Sequence, residues 1–308
     1  MEEDKEIKIV GAGVIGLTLA SKLANEGLKV EVFDSKKSVR EGANKASGIL
    51  SKSGLEETGL NYRQSVINTL KGAILHAGNE TLKVKAKDDM AFVLDRGKLA
   101  ELCYKDAKEA GAEIELGRRV SKEELIKWER ERKIIVGADG AVSTVANTFG
   151  FPGIKEYALT YKVEYSNARV EDKEMVGLFF NSRIHRFFGW SVPYSAERLE
   201  LGIGISNRAK RSSANAFEEF VKEKAVTKLI VGARMERGYA SIIPLSIRKE
   251  TVRGNVMLIG DAAGQVKATT GGGIIFGTLC AGIAARVIMD NIKGGLPLSN
   301  YETIWRKQ

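Results

Sequence analysis

Apolar and polar positions along the chain follow three patterns, each with its own structural meaning. Short, largely apolar runs at Ile7 to Val10, at residues 134–137 and at residues 256–259 predict strands of a parallel sheet covered on both faces. Helical spacing of Leu17, Ala20, Leu23 and Ala24 predicts a helix over 17–26, stopped by Gly27, with a second strand from Lys29 to Phe33. A long apolar stretch over 271–289, almost without charge until Arg286, predicts a helix buried inside the domain rather than a membrane span. Alternation marks the third pattern. Residues 73–93 read as a hairpin turning at Gly78-Asn79, and Tyr161, Val163, Tyr165 and Leu199, Leu201, Ile203 predict an antiparallel sheet. One helix is expected after it, over 214–226. No internal repeat or low-complexity linker is present, so the fold class is α/β with an inserted antiparallel sheet.

The first strand runs into Gly11, Gly13 and Gly16, and the second ends in Asp34, 23 residues after Gly11. Strand, glycine turn, helix, strand and acid form a dinucleotide-binding unit. Gly11 makes the tight turn, Gly13 admits the pyrophosphate to the backbone, and Gly16 lets helix and strand pack closely. The helix N-terminus presents free N–H groups to the phosphates, and Asp34 accepts from ribose hydroxyls. An acid there favours a free 2′-hydroxyl, as in FAD or NAD. Two later strands repeat the plan, ending at Asp139 and Asp261, and the second leads to three glycines, Gly271 to Gly273, that open the long apolar helix. Such a helix start suits a flat ligand, and an enzyme using NAD alone has no need of it.

Composition narrows the class. Of 308 residues, 44% are hydrophobic and 28% charged, which excludes a disordered or fibrous chain. Lys and Arg number 48 against 39 Asp and Glu, a net charge of +9 that favours anionic partners. The charges are scattered without a basic tract, so a nucleic-acid partner is not expected. The Lys- and Glu-rich composition also fits a heat-adapted chain. Two cysteines, Cys103 and Cys280, cannot build a disulfide framework, and the acidic start of the chain carries no signal peptide; both point to the cytoplasm. Only His76 and His185 are present, read as surface residues, so no metal site and no serine triad is expected.

The order GAGVIG, GADG and GDAAG resembles the flavoprotein fold of aromatic hydroxylases, and GDAAGQVKATTGGGIIFG is similar to the geranylgeranyl reductase family, which saturates prenyl double bonds. Phe188, Trp190 and Pro193 fit that family's aromatic signature except for Val192. The resemblance implies a Rossmann-type FAD-binding domain of 1–57, 95–152 and 246–292, a substrate-binding β-sheet domain of 58–94 and 153–245 roofing the flavin, and a short tail of 293–308. It implies FAD contacts at Gly11, Gly13, Ile15, Gly16, Asp34, Ala46, Gly48, Arg96, Val120, Asp261, Gly273 and Ile274. The flavin itself would carry the chemistry, with Ser47 and Gly48 beside it where many members have a Cys. Trp190, Phe188, Pro193 and Tyr165 would bind an apolar substrate.

The implied activity is FAD-dependent reduction of isoprenoid double bonds in membrane-lipid precursors. Electrons would come from NAD(P)H or ferredoxin, the latter as an electron-donor protein. The enzyme would be cytoplasmic, in peripheral contact with an anionic membrane at its inner face. A monooxygenase acting on an aromatic substrate, or an electron-transfer flavoprotein, are the alternative readings. The chain ends about where relatives begin a C-terminal helical segment, which suggests a minimal member.

Overall fold

The computed structural model describes residues 6–181, 184 and 186–307; His185 lies outside the described residues. The chain forms two compact units, one of Met1–Ala43, Leu99–Lys155 and Pro244–Gln308, the other of Asn44–Lys98 and Glu156–Ile243. The cuts differ from the expected 57, 94, 152 and 245. Residues 44–57 join the second unit because strand Ile49–Ser51 pairs with Ala91–Leu94. The expected tail belongs to the first unit, where helix Asn300–Trp305 buries Tyr301 and Trp305.

The first unit is built on a six-stranded sheet in the order Val252–Arg253, Val256–Leu258, Ile134–Gly137, Ile7–Val10, Val30–Asp34 and Glu113–Leu116. All neighbours run parallel except the first pair. Strand order reverses about Ile7–Val10, so its carboxyl end and that of Ile134–Gly137 flank the crevice where open α/β sheets bind ligands. Lys8 interrupts the apolar run, and its buried ammonium is paired with Glu6 and Glu31. Helix Val14–Ala24 packs against the long helix Ile274–Gly294, the one described helix apolar and long enough to cross a membrane. Its apolar window is 56% buried inside the protein, and its buried face carries Gly277, Ala281, Ala284 and Ile288. Between Val120 and Lys133, helix Lys122–Arg130 starts from a capping box in which Ser121 and Glu124 exchange side-chain and backbone hydrogen bonds.

The second unit holds a seven-stranded sheet in the order Arg234–Pro244, Tyr157–Ser166, Leu199–Ser206, Gly189–Pro193, Met175–Phe180, Gly72–Ala77 and Glu80–Lys85. From Tyr157–Ser166 to Glu80–Lys85 neighbouring strands run antiparallel, apart from Met175–Phe180 beside Gly72–Ala77, which are parallel. The expected turn at Gly78-Asn79 joins the last two, with Gly78 at φ +61°. One face carries Val163, Tyr165, Phe179, Leu201 and Ile203 in a core with Phe217 and Phe220. Those phenylalanines sit on helix Ser213–Phe220. The single helix expected over 214–226 is instead two, because Glu223 is extended (ψ 133°) and a second helix, Lys224–Ile230, begins after it. On the other face, Trp190 and Val192 form a core with Leu70 and Val93 of a three-stranded sheet, Ile49–Ser51, Ala91–Leu94 and Val66–Leu70. His76 is half-buried, not a surface residue, because its ring stacks on Phe179 at 4.6 Å.

Candidate cofactor and substrate sites

In the first unit, the glycine loop divides into two packed positions and one open one. Gly11, at φ +113°, lies so close to the neighbouring strand that a Cβ would stand 2.3 Å from the Ala138 carbonyl oxygen. A Cβ at Gly16 would stand 2.0 Å from the Gly11 carbonyl oxygen. At Gly13, which caps helix Val14–Ala24, a Cβ would meet nothing within 4 Å. Two glycines are therefore demanded by protein packing, while the third keeps open a space above uncapped backbone N–H groups. That is what a pyrophosphate requires.

Asp34 lies beside this loop. Its Oδ2 accepts from the Ala12 amide at 2.8 Å and its Oδ1 from the Lys36 amide at 2.9 Å, with Lys36 Nζ 3.6 Å away. Each oxygen keeps a second acceptor site, enough for a pair of ribose hydroxyls. Asp261 stands at the other end of the crevice, in a turn where Gly260 adopts φ +60°. A Cβ on Gly273, the residue that begins helix Ile274–Gly294, would come within 2.9 Å of Asp261 Oδ1. Carboxylate and helix start are therefore fixed together. Ile15 links the two motifs, since a Cβ at Gly277 would meet its side chain at 2.9 Å and one at Gly260 at 3.3 Å.

The remaining expected contacts are more dispersed. Val120 buries its side chain among Val10, Phe33 and Trp128. Asp139 uses Oδ2 to cap the short helix Thr144–Thr148 through the Val145 amide at 3.1 Å, while Oδ1 is buried with no hydrogen-bond partner. Burial raises its pKa, opposed by hydrogen bonds from the Ser143 hydroxyl and the Val145 amide. Ala46, Ser47, Gly48 and Arg96 belong to the second unit. A Cβ at Gly48 would stand 2.1 Å from the Leu94 carbonyl oxygen, and the Ser47 hydroxyl is buried without a partner. Arg96 opens helix Arg96–Glu109, whose start is held by Asp95 to the Lys98 amide and by Asn44 to the Gly97 amide.

Strand register assembles an apolar row on the second unit's sheet. Lys162, Gly202, Trp190, Leu178, Leu75 and Leu82 lie opposite one another across six strands. Its outer end is open: Leu82 is 60% exposed, and Val84 in the next row 54%. Its inner end is ionic. Trp190 lies flat on Gly202, where a Cβ would come within 2.2 Å of the indole, and its Nε1–H donates to Glu200 Oε1 at 2.7 Å. Glu200 is fully buried, and its Oε2 accepts from Lys162 Nζ and Tyr194 Oη, each at 2.6 Å. Burial alone would raise the Glu200 pKa, but the Lys162 charge and the three hydrogen bonds hold it below the usual carboxylate value. Tyr194 is pushed up by burial and by the Glu200 charge.

Of the expected substrate residues, Phe188 joins Trp190, edge to face at 6.1 Å. The structure does not bring Tyr165 to them. Tyr165 and Pro193 share a row through Leu199 one step out of phase with Trp190, and Tyr165 packs in the core with Phe217 and Phe220. Residue alternation was visible in the sequence, but relative face depends on register.

An open glycine loop, an acid beside it with acceptor sites to spare and a second acid fixed at a glycine-rich helix start are what a dinucleotide flavoprotein needs, and FAD fits these residues. The chain belongs to the family described as "FAD binding domain", which it matches over residues 4–278, and it is an FAD-dependent oxidoreductase. It is 26% identical over 335 residues to digeranylgeranylglycerophospholipid reductase 2 of Methanothermobacter thermautotrophicus, covering 98% of this chain and 83% of that one. An uncharacterized protein of Methanocaldococcus jannaschii is 27% identical over 320 residues, with 99% and 80% coverage. Among solved structures, a geranylgeranyl bacteriochlorophyll reductase-like protein of Thermoplasma acidophilum superposes with a TM-score of 0.84 at 20% identity, over 98% of this chain and 83% of that one. The resemblance to geranylgeranyl reductases read from the motifs therefore holds.

Proposed function

We propose that this oxidoreductase reduces isoprenoid double bonds of a membrane-lipid precursor. The observation that carries the reading is the apolar row Trp190, Leu178, Leu75 and Leu82, which crosses four strands without a polar side chain. Trp190 is covered by Leu70 and Val93, so the accessible part of the row is Leu178, Leu75 and Leu82, which at about 4.8 Å per strand offers roughly 10 Å of hydrocarbon wall. Burial against it is worth about 0.8 kcal/mol per CH₂, which suits a long aliphatic chain better than a compact polar substrate. The names of the reductase relatives point the same way.

The division of labour follows from the residues. Gly13 and the start of helix Val14–Ala24 receive the pyrophosphate, Asp34 holds a ribose, and Asp261 with Gly273 orders the second helix start. Bound FAD supplies the two-electron redox chemistry. Phe188, backed by the buried Trp190, gives the row a rigid aromatic end that orients the hydrocarbon and excludes water from it. Leu82 and Val84, exposed on the edge strand, suit peripheral contact with a membrane that holds the substrate, and the net charge of +9 favours an anionic one.

Anaerobic reoxidation of the photoreduced holoenzyme tests the proposal. A digeranylgeranyl glycerophospholipid should restore the oxidised flavin absorbance. Reoxidation only by oxygen together with a phenol would make the protein a hydroxylase, and reoxidation only by a protein acceptor would make it an electron carrier.

A further inference from the structure

Gln265 follows the GDAAG turn and is fully buried. It holds Gly260 from both sides: its backbone N–H donates to the Gly260 carbonyl at 2.9 Å, and its Oε1 accepts from the Gly260 N–H at 2.8 Å. The same side chain continues outward. Nε2 donates to Tyr301 Oη at 2.8 Å, and that hydroxyl lies 3.2 Å from Oε1. Tyr301 is itself fully buried, on helix Asn300–Trp305. Two neighbours lock this helix in place. Trp305 Nε1–H donates to Thr251 Oγ1 at 3.1 Å, and the Arg306 guanidinium donates to the carbonyls of Arg248 and Lys249 at 2.8 and 2.9 Å. Arg248 in turn donates through Nε to the Ala262 carbonyl at 2.6 Å. Residues on both sides of Asp261 are thus tied to the last helix.

We propose that Tyr301 and Gln265 are positioning residues for FAD: the last helix sets the backbone of the turn that presents Asp261 to the cofactor. Gly260 is held at φ +60°, and a Cβ there would stand 3.3 Å from Ile15, so its orientation decides where Asp261 and the start of helix Ile274–Gly294 stand. A buried hydroxyl needs a partner, and the Tyr301 hydroxyl has Cys280 and Gln265, the residue whose side chain accepts from the Gly260 N–H and whose backbone N–H donates to the Gly260 carbonyl. Tyr301 lies beyond residues 4–278, the span that matches the FAD-binding family, so this brace is an addition to the shared cofactor motifs.

FAD titration of apoprotein, read by quenching of flavin fluorescence, tests the relay in Tyr301→Phe, Gln265→Met and the double variant. Tyr301→Phe keeps the ring and its packing, and should raise the FAD Kd about three- to tenfold, the range of one hydrogen bond. Gln265→Met should raise it at least as much, and the double variant no further than Gln265→Met, because both act through one chain of bonds. Ile288→Ala, buried far along helix Ile274–Gly294, should lower Tm without changing Kd. An unchanged Kd in Tyr301→Phe, whatever its Tm, overturns the proposal, and so do losses that multiply in the double variant. Tyr301→Phe alone decides the question if Gln265→Met does not fold.

Discussion

Replacing Glu200 by alanine removes the acceptor of three buried donors at once: Lys162 Nζ, Tyr194 Oη and Trp190 Nε1–H. Lys162 is 2% exposed, and its remaining carboxylate, Glu164, is 3.6 Å away. Breaking a buried pair from one side leaves an uncompensated charge and costs about 3–5 kcal/mol. Glu200→Gln keeps an acceptor for the indole but not the charge, and should fall between that loss and Trp190→Phe, which removes one donor and part of an aromatic ring. Urea denaturation followed by far-ultraviolet circular dichroism gives the ranking Glu200→Ala, then Glu200→Gln, then Trp190→Phe. The sign with pH follows from the lowered Glu200 pKa. The carboxylate's contribution is complete above its ordinary value of 4.5 and is lost as pH falls through the lower folded value, so wild type and Glu200→Gln should converge in strong acid. A loss below about 1 kcal/mol in Glu200→Ala would refute the reasoning, because it would mean that Lys162 is solvated rather than buried.

Other predictions concern the first unit. Gly13→Val should fold normally, since a Cβ there meets no protein atom, yet fail to retain FAD; Gly16→Ala should lower Tm because its Cβ would collide with the Gly11 carbonyl. Normal FAD content in Gly13→Val would contradict the open-cradle reading. Asp34→Ala and Asp261→Ala should each weaken FAD binding ten- to a hundredfold, equivalent to roughly 1.5–3 kcal/mol for a hydrogen bond to a charged group; isothermal titration of apoprotein measures it, and an unchanged Kd in both would remove these acids from the site. Cys103 and Cys280, buried with thiols pushed up to about 12, should not react with a thiol reagent at pH 8 in the native state, and fast labelling would show that either is accessible.

Where a residue's role is imposed by its own backbone, the sequence was legible. Gly16 is required by the Gly11 carbonyl within the same loop, and the spacing of the glycines alone located the cofactor loop, although the clash that fixes Gly11 is with Ala138 on the neighbouring strand. The long apolar helix and the turn at Gly78-Asn79 were visible for the same reason. Side chains that meet only through tertiary register were not. Lys162 and Glu200 alternate with apolar neighbours as residues on a solvated face would, and only the register, which sets Lys162 opposite Gly202 and Glu200 opposite Val192 on one face, shows them to be an internal ion pair. Gln265 and Tyr301 are 36 residues apart, with nothing local to link them. Tyr165 looked like a companion of Trp190 until register placed it on the opposite face. The single helix expected at 214–226 is broken where the first helix stops at Phe220 and the extended Glu223 caps the second.

If FAD held by this chain passes electrons to a prenyl double bond, the mass of the lipid product must change. Photoreduced holoenzyme is incubated without oxygen with a digeranylgeranyl glycerophospholipid in vesicles, and the extracted lipid is analysed by mass spectrometry. The extracted lipid should have gained two hydrogens for each double bond saturated, with flavin oxidised in equal amount. Lipid of unchanged mass beside a fully reduced flavin would contradict it.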